Sequence, residues 1–181
     1  MHHARWIVSL ALAAALLGVV SCDDGGSGAA SKDQAAAPEL SGAPVWVLAS
    51  APAGARGVVE VKASAQEGDE VVLRGRIGGR KEPLTPGSPV FTVIDLALPS
   101  CRENPADSCR TPWDYCCETQ ELITANAATV QIVDAQGQPA QGSPADHGFA
   151  PLDEVIIVGV VGARPDDRVL MVKARGVYRI Q

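Results

Sequence analysis

Five cysteines occur in this chain of 181 residues, and four of them crowd into one short stretch: Cys101, Cys109, Cys116 and Cys117. The last two close the string TPWDYCC, Thr111 to Cys117, which sets Trp113 and Tyr115 beside an adjacent thiol pair. Three chemistries suit such a cluster: a metal centre, thiol redox, or disulfide staples. Zinc sites favour C-x₂₋₄-C pairs. The spacing here is C-x₇-C-x₆-C-C, which leaves a soft Cu(I)–thiolate site as the metal reading. Redox catalysis needs a thiol of lowered pKa, commonly in C-x-x-C beside a basic group or a helix start. Cys116 and Cys117 lie instead between Asp114 and Glu118, whose charge disfavours a thiolate. Disulfides fit the even count, and four cysteines allow three connectivities. A bond between neighbours is strained, because adjacent Cα atoms are about 3.8 Å apart and disulfides span about 4.4 to 6.8 Å. The relaxed pairings join Cys101 and Cys109 each to one of Cys116 and Cys117, and both ways round stay open. Each bridge stabilises by about 2 to 4 kcal/mol in the loop-entropy account.

The start of the chain bears on that choice. A short basic opening, Met1 to Arg5, precedes an apolar run from Trp6 to Val20. That run suits a signal-peptide core and is short for a spanning helix of about 20 residues. It ends in Val19-Val20-Ser21-Cys22. These four residues resemble the lipobox of bacterial lipoproteins. The resemblance implies cleavage before Cys22, with lipid on its thiol and on the new amino terminus, where several acyl chains together anchor stably. The expected partner there is a membrane, and the expected location is the extracytoplasmic face of the cell envelope. Thiols tend to oxidise in such a compartment, so disulfides are favoured over metal and redox.

Residues 1–21 thus read as a signal segment and 22–43 as a flexible tether of Gly, Ala and Ser with scattered charge. Residues 44–181 read as the folded domain. Formal charge is −6, from 15 basic and 21 acidic side chains. Removing Arg5 with the signal segment gives 14 − 21 = −7. Such a chain lacks the basic footprint of a general polyanion binder.

Other side chains invite a binding role. Phe91, Trp113 and Tyr115 are candidates for a stacking face toward a base or a sugar ring, although packing of the cysteine loop is the plainer use of Trp113 and Tyr115. Arg74 and Arg76, with Lys173 and Arg175, are candidates for an anionic ligand. Their plainer use is to guard the solvated faces of strands. Gly78 to Pro89, GGRKEPLTPGSP, lacks the strand–loop–helix order and Lys-Ser/Thr ending of a phosphate loop. It reads as a barrel loop or ligand rim, and no cofactor is expected. His147 lies near Ser143 and Asp146 but without a nucleophile motif, so a turn residue is expected.

The elements that position these groups read as strands. Five runs of Val, Ile, Leu and Thr stand between Gly, Pro and Asp: Glu70 to Gly79, Val90 to Leu98, Ala128 to Gly137, Glu154 to Gly162 and Arg168 to Ile180. In the first, Val71, Leu73, Gly75 and Ile77 form one face at period two. In the fifth, Leu170, Val172, Ala174, Gly176, Tyr178 and Ile180 form one face. No helix beyond about two turns is expected, and a short turn around Asp146 to Leu152 is. Residues 44–65 read as a further strand or packing arm.

Five strands with interior glycines and a break between the third and fourth resemble the oligonucleotide/oligosaccharide-binding (OB) fold. The fold class expected is all-β: a five-stranded OB-like Greek-key barrel with a disulfide-stapled loop between strands 2 and 3. A small β-sandwich is the alternative. The stretches GDEVVLRGRIGGRKEP, FTVIDLAL, TPWDYCC and ATVQIVDAQG together resemble a group of uncharacterised bacterial lipoproteins with OB-like domains. That resemblance implies fold and location and no activity. The functional expectation is a non-enzymatic binding or scaffolding module for an envelope protein, peptide or glycan. Nucleic acid is suggested by fold analogy alone and is opposed by the charge. Metal and thiol-redox roles for the cysteines remain the alternative of a different class.

Overall fold

The structure, a computed structural model, describes residues 44–104, 106 and 108–181. The expected signal segment 1–21 and tether 22–43, with Cys22, lie outside the described residues. Alternation of apolar and polar side chains lets one sheet face bury while the other meets water. The first such run forms the long strand β2, Glu70–Ile77, with Val71, Leu73, Gly75 and Ile77 turned inward. A two-residue strand, β1 (Arg56–Gly57), and a helix, α1 (Val58–Ser64), precede it. Then come β3 (Val90–Ile94), helix α2 (Gln120–Asn126), β4 (Ala127–Ile132), β5 (Glu154–Val161) and β6 (Met171–Arg179).

The pairing closes on itself. Strand β2 pairs antiparallel with β3, and β3 with β4. Strand β4 pairs parallel with β6, β6 antiparallel with β5, and β5 antiparallel with β2. The ring β2-β3-β4-β6-β5, in which only β4 and β6 run parallel, is the five-stranded Greek-key barrel of the OB type. A sandwich is set aside by that closure. Strand β2 serves both sides of the seam: it pairs with β5 from Glu70 to Arg76, and with β3 only at Arg76 and Ile77. Gly75 sits at this switch, where a Cβ would lie 3.0 Å from the Ile94 carbonyl oxygen.

Inside the ring lie Leu73, Ile77, Phe91, Val93, Val130, Ile132, Val155, Ile157, Val172 and Val177. Trp46 and Phe149 join the same core. The expected turn near Asp146 is a 3₁₀ turn, Pro144–His147. Ser143 opens it as the N-cap, accepting from the Ala145 amide, while Asp146 accepts from the Ser143 amide at 2.8 Å. Ser143 and Asp146 thus serve a cap, and His147 packs edge-on against Trp46 at 5.3 Å.

Three sequence expectations change. Strand β6 carries an irregularity: Val158 faces Gly176 but Gly159 faces Ala174, so Arg175 is an extra residue. A bulge of this kind resets the alternation. Val177 is therefore buried, and Tyr178 and Ile180 are only partly so. Second, the valine-rich VVEVKAS is a helix, not a strand. Asp95 accepts the Val59 amide at its start, at 2.8 Å. Arg164 caps its end through the Lys62 and Ala65 carbonyls. These tertiary contacts override the strand preference of valine. Third, the loop between the second and third barrel strands contains helix α2, whose last carbonyls, Thr124 and Ala125, accept from Lys62 Nζ at 2.7 and 3.1 Å. Burial, then the charge of Arg164, holds the Lys62 pKa below its ordinary value.

Phe91 is 1 % exposed and fills the barrel interior, so it offers no stacking face. Phe91→Ala is expected to cost about 3 to 5 kcal/mol of stability, read as a lowered urea midpoint with an unchanged m-value. A loss below about 1 kcal/mol would show that the side chain is not a core residue.

Candidate functional site

Residues 95–126 leave the barrel after β3 and return at β4, and their sequence explains how they stay in place. Ser100 caps the 3₁₀ turn Cys101–Glu103, and Glu103 Oε1 accepts from the Ser100 amide at 3.1 Å and its hydroxyl at 2.9 Å. The same carboxylate takes Arg76 of β2 at 2.5 Å. Partial burial opposes ionisation of Glu103. Its bonds from Ser100 and the Arg76 charge outweigh that and hold its pKa below the ordinary carboxylate value.

The string TPWDYCC is a turn locked by Asp114. Its carboxylate accepts from Thr111 Oγ1 at 2.6 Å and from the Cys116 amide at 2.9 Å. Burial works against the charged form, but these bonds prevail and the Asp114 pKa falls. Tyr115 adopts a left-handed backbone, φ 59°, which swings its ring under the loop. The ring is 0 % exposed and packs with Ile94, Leu98 and Ile123 in a second apolar cluster outside the barrel. Its hydroxyl is buried, and among the described residues none meets it within hydrogen-bond geometry, although Arg76 lies near enough to act on it. Burial raises the phenol pKa despite the opposing charge of Arg76.

The turn docks where β2 ends. The Gly79 amide donates to the Trp113 carbonyl at 2.8 Å, and Trp113 Nε1 donates to the Lys81 carbonyl at 3.0 Å. A Cβ on Gly78 would stand 2.7 Å from that Trp113 oxygen, so only glycine permits the approach.

This arrangement collects the cysteines unevenly. The sulfurs of Cys101, Cys109 and Cys116 and one carboxylate oxygen of Asp114 lie within 4.8 Å of one another. Cys109 Sγ and Cys116 Sγ are 3.4 Å apart, a contact distance rather than the roughly 2.05 Å of a disulfide bond. Cys101 is buried, whereas Cys116 and Cys117 are exposed. Cys117 shares with Cys101 and Glu103 a cleft of about 360 Å³. Contact with the Cys109 sulfur, then with the Asp114 carboxylate, pushes the Cys116 thiol far above the ordinary cysteine range. That is the opposite of an activated nucleophile.

The remaining candidates take the plainer of the two uses that the sequence offered rather than a binding face. Tyr115 is core, so like Phe91 it cannot stack on a ligand, and Trp113 is partly exposed with its ring nitrogen already engaged. The basic residues do not merge into a patch. Arg74 pairs with Glu154 at 2.9 Å, Arg76 with Glu103, and Arg175 with Glu70 at 2.6 Å. Lys173 is exposed. The carboxylates opposite these arginines come from distant strands and turns, so spacing along the sequence gave no signal of them.

A cleft of about 190 Å³ with a mixed polar and apolar lining lies on the outer face of β3 and β4, and its rim includes Arg80 from the loop read in the sequence as a barrel loop or ligand rim. Thr92 and Thr129 line its floor, with Arg80 from the β2–β3 loop on one side and Arg168 from the β5–β6 loop on the other. In the OB fold these two loops and this face carry ligands. Arg168 also reaches Asp166 at 3.3 Å.

No family model matches the chain, and no curated protein matches it. A solved structure, described as that of the hypothetical protein ygiW from E. coli, overlaps 71 % of this chain and 94 % of its own, at 15 % identity and a TM-score of 0.36. The fold assignment rests on strand order and register.

The Glu103 carboxylate ties the insertion to the barrel, and its lowered pKa makes that tie pH-dependent. A depressed acid contributes stability above its unfolded pKa and loses it as pH falls through the folded value. The melting temperature of Glu103→Gln should thus lie below that of the wild type well above pH 4.5, the ordinary value for this group. The two should converge in acid, as thermal melts across pH would record.

Proposed function

We propose that this chain is an exported, lipid-anchored, non-catalytic binding module of the cell envelope. The lipobox-like Val19 to Cys22 behind a basic start and an apolar run supports the anchor. The cleft lined by Arg80 and Arg168 is the observation that carries the binding role. Thr129 offers a hydroxyl there while Thr92 is nearly buried, and the guanidinium groups of Arg80 and of Arg168, the latter also paired with Asp166, suit a carboxylate or phosphate. An acidic envelope glycan or a peptide carboxylate matches that chemistry. The local pairing of Arg74, Arg76 and Arg175 with glutamates, and the overall charge of −6, weigh against a nucleic acid, which needs an extended uncompensated basic surface.

The anchor is tested by intact mass of protein exported by a bacterial host. Cleavage before Cys22 with acyl mass on residue 22 is expected, and Cys22→Ala should release the protein from the membrane fraction. An unlipidated wild-type terminus sinks the anchor.

The cleft is tested by titrating acidic oligosaccharides and muropeptides against labelled protein by NMR. Shifts centred on Thr92 and Thr129 are expected, with binding weakened tenfold or more in Arg80→Ala/Arg168→Ala. Both arginines are exposed, so the fold should survive. Binding that maps elsewhere, or no binding by any member, overturns the assignment.

A further inference from the structure

The convergence of Cys101, Cys109, Cys116 and Asp114 is more than a disulfide requires. A disulfide needs two sulfurs. Here a third sulfur and a carboxylate oxygen share the same small volume, every donor within 4.8 Å of every other. In a tetrahedral zinc site with Zn–S near 2.3 Å, neighbouring ligand atoms stand about 3.7 Å apart. The 3.4 Å between the Cys109 and Cys116 sulfurs is close to that spacing.

We propose that these four side chains form a binding site for a thiophilic d¹⁰ divalent cation, with Zn²⁺ as the four-donor fit. The donors come from three places in the insertion: Cys101 from the 3₁₀ turn, Cys109 from the following loop, and Asp114 with Cys116 from the TPWDYCC turn. That is why the spacing along the sequence carries no zinc signature. The Cys101 amide donates to the Pro112 carbonyl at 3.2 Å, which holds the first place against the third.

Outer contacts orient the donors as metal sites require. Asp114 is steered by the Thr111 hydroxyl and the Cys116 amide. The Cys109 sulfur also lies 3.8 Å from Thr111 Oγ1. Cys101 is 7 % exposed and closes the inner side, while Cys116 opens to solvent as the entry. On binding, each of the three thiols passes its proton to solvent as its sulfur–metal bond forms, and no electron is transferred. Cys117 is not one of the four donors. The inference does not rest on the cleft over Thr92 and Thr129, and it competes with the oxidation expected of thiols exported to the envelope.

The test uses the full chain, purified in detergent under reducing conditions and titrated with Co²⁺ as a spectroscopic probe, then with Zn²⁺ in competition. One equivalent of Co²⁺ is expected, with tetrahedral ligand-field bands and sulfur-to-metal charge transfer of three-thiolate intensity, all displaced by Zn²⁺. Cys101→Ala, Cys109→Ala and Cys116→Ala should each weaken binding at least a hundredfold. Cys117→Ala should bind like the wild type. Asp114→Asn should keep the charge-transfer band while weakening binding tenfold or more. Circular dichroism of each variant separates loss of the site from loss of the fold, and the Cys117→Ala and Asp114→Asn arms decide the matter if the others unfold. Absence of Co²⁺ binding in folded, reduced wild type overturns the proposal. So does equal loss in Cys117→Ala, or indifference to Asp114→Asn. Two disulfides with no metal in protein taken directly from cells also overturns it.

Discussion

The insertion depends on one close approach between backbones. Where β2 ends, Gly78 and Gly79 leave the space into which the Trp113 carbonyl descends, and the Gly79 amide bonds to it. A side chain at Gly78 would meet a backbone oxygen rather than a flexible side chain, so neither partner can give way without moving the turn. Everything beyond follows from that contact. It fixes the height of Tyr115 over Ile94, and the ring excludes water from the second apolar cluster. It also sets Asp114 and Cys116 against Cys109 and Cys101. The Arg76–Glu103 pair fastens the other limb of the insertion to the same strand. Two segments far apart in sequence, RIGGRK and TPWDYCC, are therefore the two halves of one joint.

The strands were legible because burial on one face leaves a period-two trace. Val71, Leu73, Gly75 and Ile77 alternate in the chain and face inward in the barrel. The trace fails where a local event breaks phase. The extra residue at Arg175 turns Val177 inward in place of its neighbour, and neither residue type announces a bulge. It fails again for α1, whose valines suit a strand. Asp95 and Arg164, far along the chain, supply the partners for its ends. The cysteine cluster was legible as a cluster but not as a geometry. Which three sulfurs meet depends on the left-handed Tyr115 and on the Cys101–Pro112 bond, both properties of the folded loop.

Charge in this protein is mostly spent on itself. Lys62 and Arg164 close the ends of two short helices whose terminal carbonyls would otherwise face a poor environment. Arg74, Arg76 and Arg175 each face a glutamate across a strand or turn. Surface pairs of this kind contribute little individually, yet together they erase the basic stripe that a linear reading suggests. Arg80 and Arg168 lie apart from these pairs, at the rim of the cleft over Thr92 and Thr129. The same insertion that carries the cysteines borders this cleft through Gln120, Ile123 and Thr124.

The arm at the start of the folded domain also fixes how the barrel is held. The Leu48 amide donates to the Val177 carbonyl at 2.9 Å, and the Val177 amide to the Trp46 carbonyl at 2.7 Å. Val47 lies parallel to the last strand. The arm is therefore bonded to β6, the last strand of the chain, before the chain reaches β1 and β2. The entering chain and the last strand are thus fastened to each other, so the first described residues of the domain and its final strand form one seam.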